Sequence, residues 1–399
     1  MPCFLVLREV VAGDEVKVRE RRLSMAFFSN LIYIAFLVIL LSSYHNGNSL
    51  LLFAIIPSPT SSRRQHRGAV SSARSSSLAA TPSAVVDVTK FKQGFINVTR
   101  SSDNGDDGGS SSSSSTHRLC YNIARPMNLS SKQSAPLVVL HGGPSVPSNY
   151  LYPLVNVVPY RSIIFYDQLG CGKSDEPTDI TLYSIHNAVR DLKVLLNKLK
   201  VRQFHLYGQS FGGILAHEYL KSIVACDDDD DDNPPREDDP QCLSLILSSA
   251  PTNVKEVELH VARLIQDLTS SSEGGKDVND DNINELFRIT HQCRLPEMPP
   301  LLLEAYANAG SVWRGTSAIA DYIAKPPTTK TTTRRMPSTL IMRGEYDFVS
   351  LASVSQWTTI LSNAKSVRYK TLKGCSHHGL LEDGKVYGEI LDSFCSEYD

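Results

Sequence analysis

The chain lacks the cysteine patterning of a stapled or metal-bound fold. Its eight cysteines (Cys3, Cys120, Cys171, Cys226, Cys242, Cys293, Cys375 and Cys395) form no CxxC pair and no His spacing suited to zinc. They dictate neither a disulfide scaffold nor a metal site, and no cofactor is expected. An excess of either charge is also missing, since 40 basic residues stand against 42 acidic ones. Without a concentrated Lys/Arg stripe, nucleic acid is set aside as a partner. Repeated long apolar runs are absent too, and 41% hydrophobic with 21% charged residues excludes a collagen-like, wholly disordered or polytopic membrane chain. At 399 residues the chain is long for one domain, so two units or one domain with extras is expected.

Acidic residues are missing from Arg21 to Val86. Within that stretch Ala26–Leu41 is almost unbroken apolar sequence, preceded by Arg19, Arg21 and Arg22. Crossing a bilayer takes about 20 apolar residues, so the segment falls between a long signal-peptide core and a short membrane anchor. A second apolar patch, Leu50–Ile56, leads into a Ser/Arg/Ala-rich run of transit-peptide composition. Residues 1–86 therefore read either as a targeting leader for the secretory pathway or a plastid, or as an anchor plus disordered linker. Met25 is an alternative start that would place the apolar core where a signal peptide belongs. Ser101–Thr116 and Asp227–Asp239, the latter opening on six consecutive aspartates, read as solvated loops.

The body alternates strand-like and helix-like pieces. Pro136–Leu140, Ser162–Tyr166, Phe204–Tyr207, Leu243–Leu247, Ser338–Met342 and Val367–Leu372 are short strand candidates. Ile185, Val189, Leu192, Leu195, Leu196 and Leu199 recur at helical spacing, and Val386, Ile390, Leu391 and Phe394 mark a closing helix. That alternation predicts an α/β fold with a mostly parallel sheet covered on both sides. Between Pro251 and Ile323 the strand signal gives way to helical pieces, which predicts a small helical cap. The expected order is a first core part over 87–250, the cap over 251–325 and a second core part over 326–399.

In such sheets the site lies beyond the carboxyl ends of the strands. Gly208-Gln209-Ser210-Phe211-Gly212 follows a strand and matches GxSxG, the sharp turn that exposes a serine nucleophile. A serine hydroxyl needs a base, and the base needs an acid to fix its tautomer. Asp347 and His377 each follow a later strand, in the chain order Ser, Asp, His. His378 is adjacent, and one of the pair must point elsewhere. The turn His141-Gly142-Gly143-Pro144 follows Pro136–Leu140 and brings a backbone N–H to the developing oxyanion. Gly143 is the favoured donor and Gly142 the alternative, with the N–H of Phe211 as the second donor.

These motifs resemble the proline iminopeptidase family of α/β-hydrolases (peptidase family S33), close to the branch containing the tricorn-interacting aminopeptidase. The resemblance rests on His141 to Pro144, Asp167 to Ser174, Gly208 to Gly213, Gly344 to Asp347, and Ser376-His377 with Leu381-Glu382. It covers roughly Phe95 to Phe394, including Cys293-Arg294 and Trp313 to Gly315. The offsets to Leu381 and Glu382 put His377, rather than His378, at the catalytic position. The Asp167–Ser174 turn reads as structural.

The resemblance implies a serine aminopeptidase that releases N-terminal proline or a small apolar residue through an acyl-enzyme. It also implies acidic cap residues that hold the substrate's ammonium. Two departures stand out: Ser145 replaces a family glycine, and Ala318 occupies the position of the amine-binding glutamate. Glu285 is a candidate replacement acid, with Glu297 and Glu304 also available, and Trp313 is a candidate substrate contact. The expected partner is a small peptide or ester, and membrane attachment through Ala26–Leu41 stays open. The alternatives are a carboxylesterase with an altered cap and a non-catalytic binding protein on the same scaffold.

Overall fold

The computed structural model describes residues 4–11, 17–24, 86–101, 114–126, 134–224, 240–271, 280–327 and 335–399. Two units are distinguished, 1–46 and 47–399. In the first, β1 (Phe4–Val11) and β2 (Lys17–Ser24) pair as an antiparallel hairpin. Ala26–Leu41, Leu50–Ile56 and the aspartate run lie outside the described residues. No described helix is long and apolar enough to cross a membrane.

The second unit is built on an eight-stranded sheet. Its strands are β3 (Lys92–Ser101), β4 (Ser114–Ala124), β5 (Leu137–Leu140), β6 (Ile163–Tyr166), β7 (Gln203–Gln209), β8 (Gln241–Ser248), β9 (Ser338–Gly344) and β10 (Val367–Leu372). The order across the sheet is β10-β9-β8-β7-β5-β6-β4-β3. From β10 to β6 every pairing is parallel, while β4 runs antiparallel to both β6 and β3. This is the mostly parallel α/β sheet expected from the alternation of strands and helices, and the α/β-hydrolase arrangement that the family resemblance implies. β5 and β6 are buried along their whole length, as strands covered on both faces must be.

The β3–β4 hairpin corrects one expectation. Ser101 and Ser114–Thr116, read as part of a solvated loop, belong to strands, with Ser101 opposite Ser114 and Thr99 opposite Thr116. Backbone pairing at a sheet edge needs no apolar side chains, so polar composition hid it. The hairpin is anchored by Arg100, whose guanidinium donates to both oxygens of Asp191 at 2.8 and 2.6 Å. Asp191 lies on the helix Ile185–Lys198, on the face that buries Val189, Leu192, Leu195 and Leu196. Ser184 caps that helix by accepting from the Asn187 N–H.

Between β8 and β9 the described chain is largely helical: Val254–Ser271, Asp280–Phe287 running into a wide turn over Arg288–Gln292, Pro300–Ala307, and one short turn over Thr316–Ile319. Two contacts root this segment on the helix that follows β7. His217 Nε2 donates to the Lys325 carbonyl at 3.0 Å, and Tyr322 donates to Glu218 at 3.0 Å.

Candidate active site

Ser210 alone makes the turn between β7, ending at Gln209, and the helix Phe211–Val224, and it adopts φ +55°. A left-handed serine costs on the order of 1 kcal/mol and persists only where its surroundings hold it. Here the Ser210 N–H donates to the Ser248 carbonyl of β8 at 2.8 Å, and its carbonyl accepts from Gly213. Gly212 is required by crowding, because a Cβ there would come within 2.1 Å of the Leu140 carbonyl oxygen. The motif's small residues are thus what lets the helix start against β5.

Asp347 and His377 meet beyond the ends of β9 and β10. His377 Nδ1 donates to Asp347 Oδ1 at 2.8 Å, and the same oxygen accepts the Val349 N–H at 2.9 Å. Both side chains are buried, and the Phe348 ring stacks on the imidazole at 4.1 Å. This bond fixes the proton of neutral His377 on Nδ1 and leaves Nε2 as an acceptor. His378 turns away, as one of the adjacent histidines had to. Its Nε2 meets the Tyr306 hydroxyl at 3.1 Å, and burial, then the neighbouring His377, holds its pKa well below the usual imidazole range.

The turn after β5 supplies backbone donors. Gly143 has φ +121°, and a Cβ there would strike the Ser145 and Val146 nitrogens, so only glycine fits. The Gly142 N–H is already committed to the Tyr150 hydroxyl at 2.8 Å, which leaves Gly143 as the donor this turn has to offer. Neither Gly143 N–H nor Phe211 N–H bonds to another described residue. His141 is structural: its Nδ1–H donates to the Gly142 carbonyl and its Nε2 accepts from the Gln168 N–H. Asp167 is structural as well, accepting from Ser148 and from the Lys173 N–H.

One residue of the motif has a role that spacing does not reveal. Gln209 places its amide nitrogen 3.0 Å from His377 Nε2, the atom a serine nucleophile would use, and its Oε1 accepts the Tyr150 hydroxyl at 2.6 Å. No hydrogen bond joins Ser210 to His377 among the described residues. Catalytic hydrogen bonds often tighten only once substrate is bound.

The cap side differs from expectation. Glu285 is exposed and its carboxylate accepts from Nη2 and Nε of Arg288 at 2.5 and 2.8 Å, so its charge is already matched. Glu297 and Glu304 are exposed. Trp313 is buried with its ring edge-on to Phe211 at 5.4 Å, and its indole N–H donates to the Ala318 carbonyl at 3.2 Å. The half-buried guanidinium of Arg314 makes no hydrogen bond or ion pair with a described residue, and burial lowers its pKa. Ser145, in the position of the family glycine, keeps a left-handed φ of +72° and donates its hydroxyl to the Trp313 carbonyl. Glu382 ties the histidine loop to the cap, accepting from Ser376 Oγ at 2.5 Å and from the Arg294 N–H at 2.9 Å.

Tyr150, Tyr306, Phe348 and Gln209 were not singled out from sequence. Gln209 alone carried a signal, its place beside the serine; the others are brought in by the fold.

Residues 135–384 match the α/β hydrolase fold family. The chain is 30% identical over 290 residues to the proline iminopeptidase of Lactobacillus helveticus, covering 67% of this chain and 92% of that protein. It is 28% identical over 284 residues to the proline iminopeptidase of Saccharolobus solfataricus, covering 65% of this chain and 84% of that one. Among solved structures, the proline iminopeptidase of Mycobacterium smegmatis superposes with a TM-score of 0.57 at 20% identity, over 75% of this chain and 98% of that one.

Proposed function

The chain belongs to the proline iminopeptidase-like α/β-hydrolases, and from that premise we propose that it is a serine hydrolase releasing an N-terminal proline or small apolar residue from peptides. The observation that carries the reading is Ser210, held at φ +55° on a strand-to-helix turn with the uncommitted N–H groups of Gly143 and Phe211 as its oxyanion donors. His377 takes the Ser210 proton on Nε2 as Oγ bonds to the substrate carbonyl carbon, and the carbonyl π pair moves onto oxygen. Asp347 orients His377 and stabilises the imidazolium. Gly143 and Phe211 hold the oxyanion, whose preorganised donors need no rearrangement at that moment. Collapse breaks the C–N bond, and the Nε2 proton goes to the departing amine. Water then repeats the sequence on the acyl-enzyme and frees Ser210.

A carboxylesterase reading is favoured by Ala318: an amine buried without an anionic partner is costly, and an ester carries no amine that needs the missing glutamate. The experiment uses the full chain with prolyl arylamide and with simple acyl esters. Ser210→Ala is expected to lower turnover of either by about 10³-fold or more, and retained activity would overturn the serine assignment. The ratio of the two kcat/KM values decides between the substrate classes. Intact folding with no turnover and no fluorophosphonate labelling of Ser210 would instead favour a binding protein.

A further inference from the structure

We propose that Gln209 is a positioning residue that fixes the tautomer of His377 and disfavours its charged form, under the control of a backbone amide in the oxyanion turn. The inference rests on the serine-hydrolase reading above and deepens it. Its basis is a chain of four hydrogen bonds in which each step fixes the next. The Gly142 N–H can only donate, so at 2.8 Å the Tyr150 oxygen accepts. The Tyr150 proton is then directed to Gln209 Oε1 at 2.6 Å. That orients the amide with its NH2 toward His377, where Nε2 accepts at 3.0 Å. Nδ1 consequently carries the proton and gives it to Asp347 at 2.8 Å. The chain is buried throughout: Tyr150, Gln209, His377 and Asp347 are all below 7% exposed.

An amide N–H pointed at Nε2 supports a neutral imidazole and opposes an imidazolium, which presents its own N–H at that position. Gln209 therefore does two things in one turnover. It keeps Nε2 free of a proton in the resting enzyme. Once Ser210 has given its proton to Nε2, the two N–H groups face each other, which drives that proton on to the leaving group. A small cavity lined by Tyr150, Gln209, Ser248, His377, His378 and Tyr387 adjoins the amide. In the resting geometry Gln209 and Ser210 compete for the same lone pair, which explains why His377 is bonded to the former.

The test reads the protonation of His377 directly. Imidazole nitrogen NMR on the full chain carrying Ser210→Ala follows its titration without relying on activity. The comparison is between Gln209, Gln209→Leu, which removes the donor, and Gln209→Glu, which offers an acceptor. The other groups around the ring are left unchanged: Asp347 and Arg343 from β9 and its loop, His260 and His291 from the cap, His378 and Glu382 on its own loop, and Tyr150 and Tyr387 across the cavity.

The midpoint is expected to rise in the order Gln, Leu, Glu, by about half to one pH unit for Leu, with the acid limb of kcat/KM in the Ser210 enzymes moving in step. An unchanged midpoint in Gln209→Leu overturns the proposal, whatever happens to the rate. If that variant does not fold, Tyr150→Phe releases the amide from its fixed orientation and is expected to move the midpoint the same way. No movement there overturns it equally. Activity that survives Ser210→Ala would sink the serine reading instead, and the titration keeps the two failures apart.

Discussion

On the sheet side, the groups proposed to carry the reaction are held by main chain: Ser210 by the Ser248 carbonyl, Asp347 by the Val349 N–H, and the proposed oxyanion turn by a glycine at φ +121°. The cap reaches the same place partly by main chain, the His377 and His378 N–H groups donating to the His291 and Gln292 carbonyls at 3.3 and 3.2 Å, and partly by side chains. It contributes a Trp313 ring against Phe211, a carbonyl that holds Ser145, and an arginine that hydrogen-bonds to no described residue through its side chain. Backbone-held groups tolerate little change, because a strand end or a glycine turn sets them to fractions of an ångström. Side-chain contacts from an insertion can be exchanged one at a time. On the proposed reading the reaction type is written on the first surface and the substrate on the second, in keeping with motifs that match the family while Ser145 and Ala318 depart from it.

The largest effect is expected on the sheet side. Asp347→Ala removes the acceptor that holds the Nδ1 proton of His377. Loss of that tautomer in the corresponding triad costs about 10⁴-fold in kcat. The same order is expected for hydrolysis of arylamide and ester alike, measured as kcat with folding checked by circular dichroism. A loss confined to one substrate class would mean that Asp347 acts in recognition and would blur the division between the two surfaces.

That division also explains what could be read before the fold was known. The turns after β5, β7, β9 and β10 were legible because each demands a residue type that only the chemistry or the backbone explains: glycine at Gly143 and Gly212, serine at Ser210, and the Asp–His pair in a fixed chain order. The β3–β4 hairpin was not, because its serine-rich ends pair through backbone alone. Tyr150 and Gln209 lie 59 residues apart and meet only when β5 and β7 pair side by side. Charge matching was equally invisible. Glu285 looked available as an amine ligand until Arg288, one helical turn on, was seen to occupy it.

The joint between the surfaces is expected to be pH-sensitive. His217, on the helix that starts at the Ser210 turn, donates Nε2–H to the Lys325 carbonyl while its buried Nδ1 has no partner among the described residues. Burial pulls its pKa down to about 4. The folded value lies below the unfolded value of about 6.5, so between those two limits the unfolded chain takes up a proton that the native state refuses. Stability is therefore fully present above pH 6.5 and declines as pH falls, by about 1.4 kcal/mol per unit and about 3 kcal/mol in all by pH 4. Chemical denaturation from pH 7 to pH 4 checks the slope. His217→Gln keeps an N–H donor without titrating, and is expected to flatten the decline by that amount. An equal slope in the variant would remove His217 as the pH-sensitive root of the cap.

The smallest effect is expected where the two surfaces touch at Ser145. Its left-handed φ of +72° is a cost that glycine would not bear, of about 1 kcal/mol. The buried hydroxyl bond to the Trp313 carbonyl offsets it by about 1 kcal/mol. If the two cancel, Ser145→Gly changes the free energy of unfolding by under about 1 kcal/mol. Ser145→Ala keeps the strain, loses the bond, and falls by about 1–2 kcal/mol. The kinetic consequence separates from stability: both variants cut one tie between the cap and the oxyanion turn and keep the Gly310 N–H bond to the Ser145 carbonyl, so both are expected to raise KM slightly while kcat, which the proposed triad sets, changes less. If Ser145→Ala were as stable as the parent and KM were unmoved, the hydroxyl would be idle. The departure from glycine at this turn would then carry no information about how the cap is held over the site.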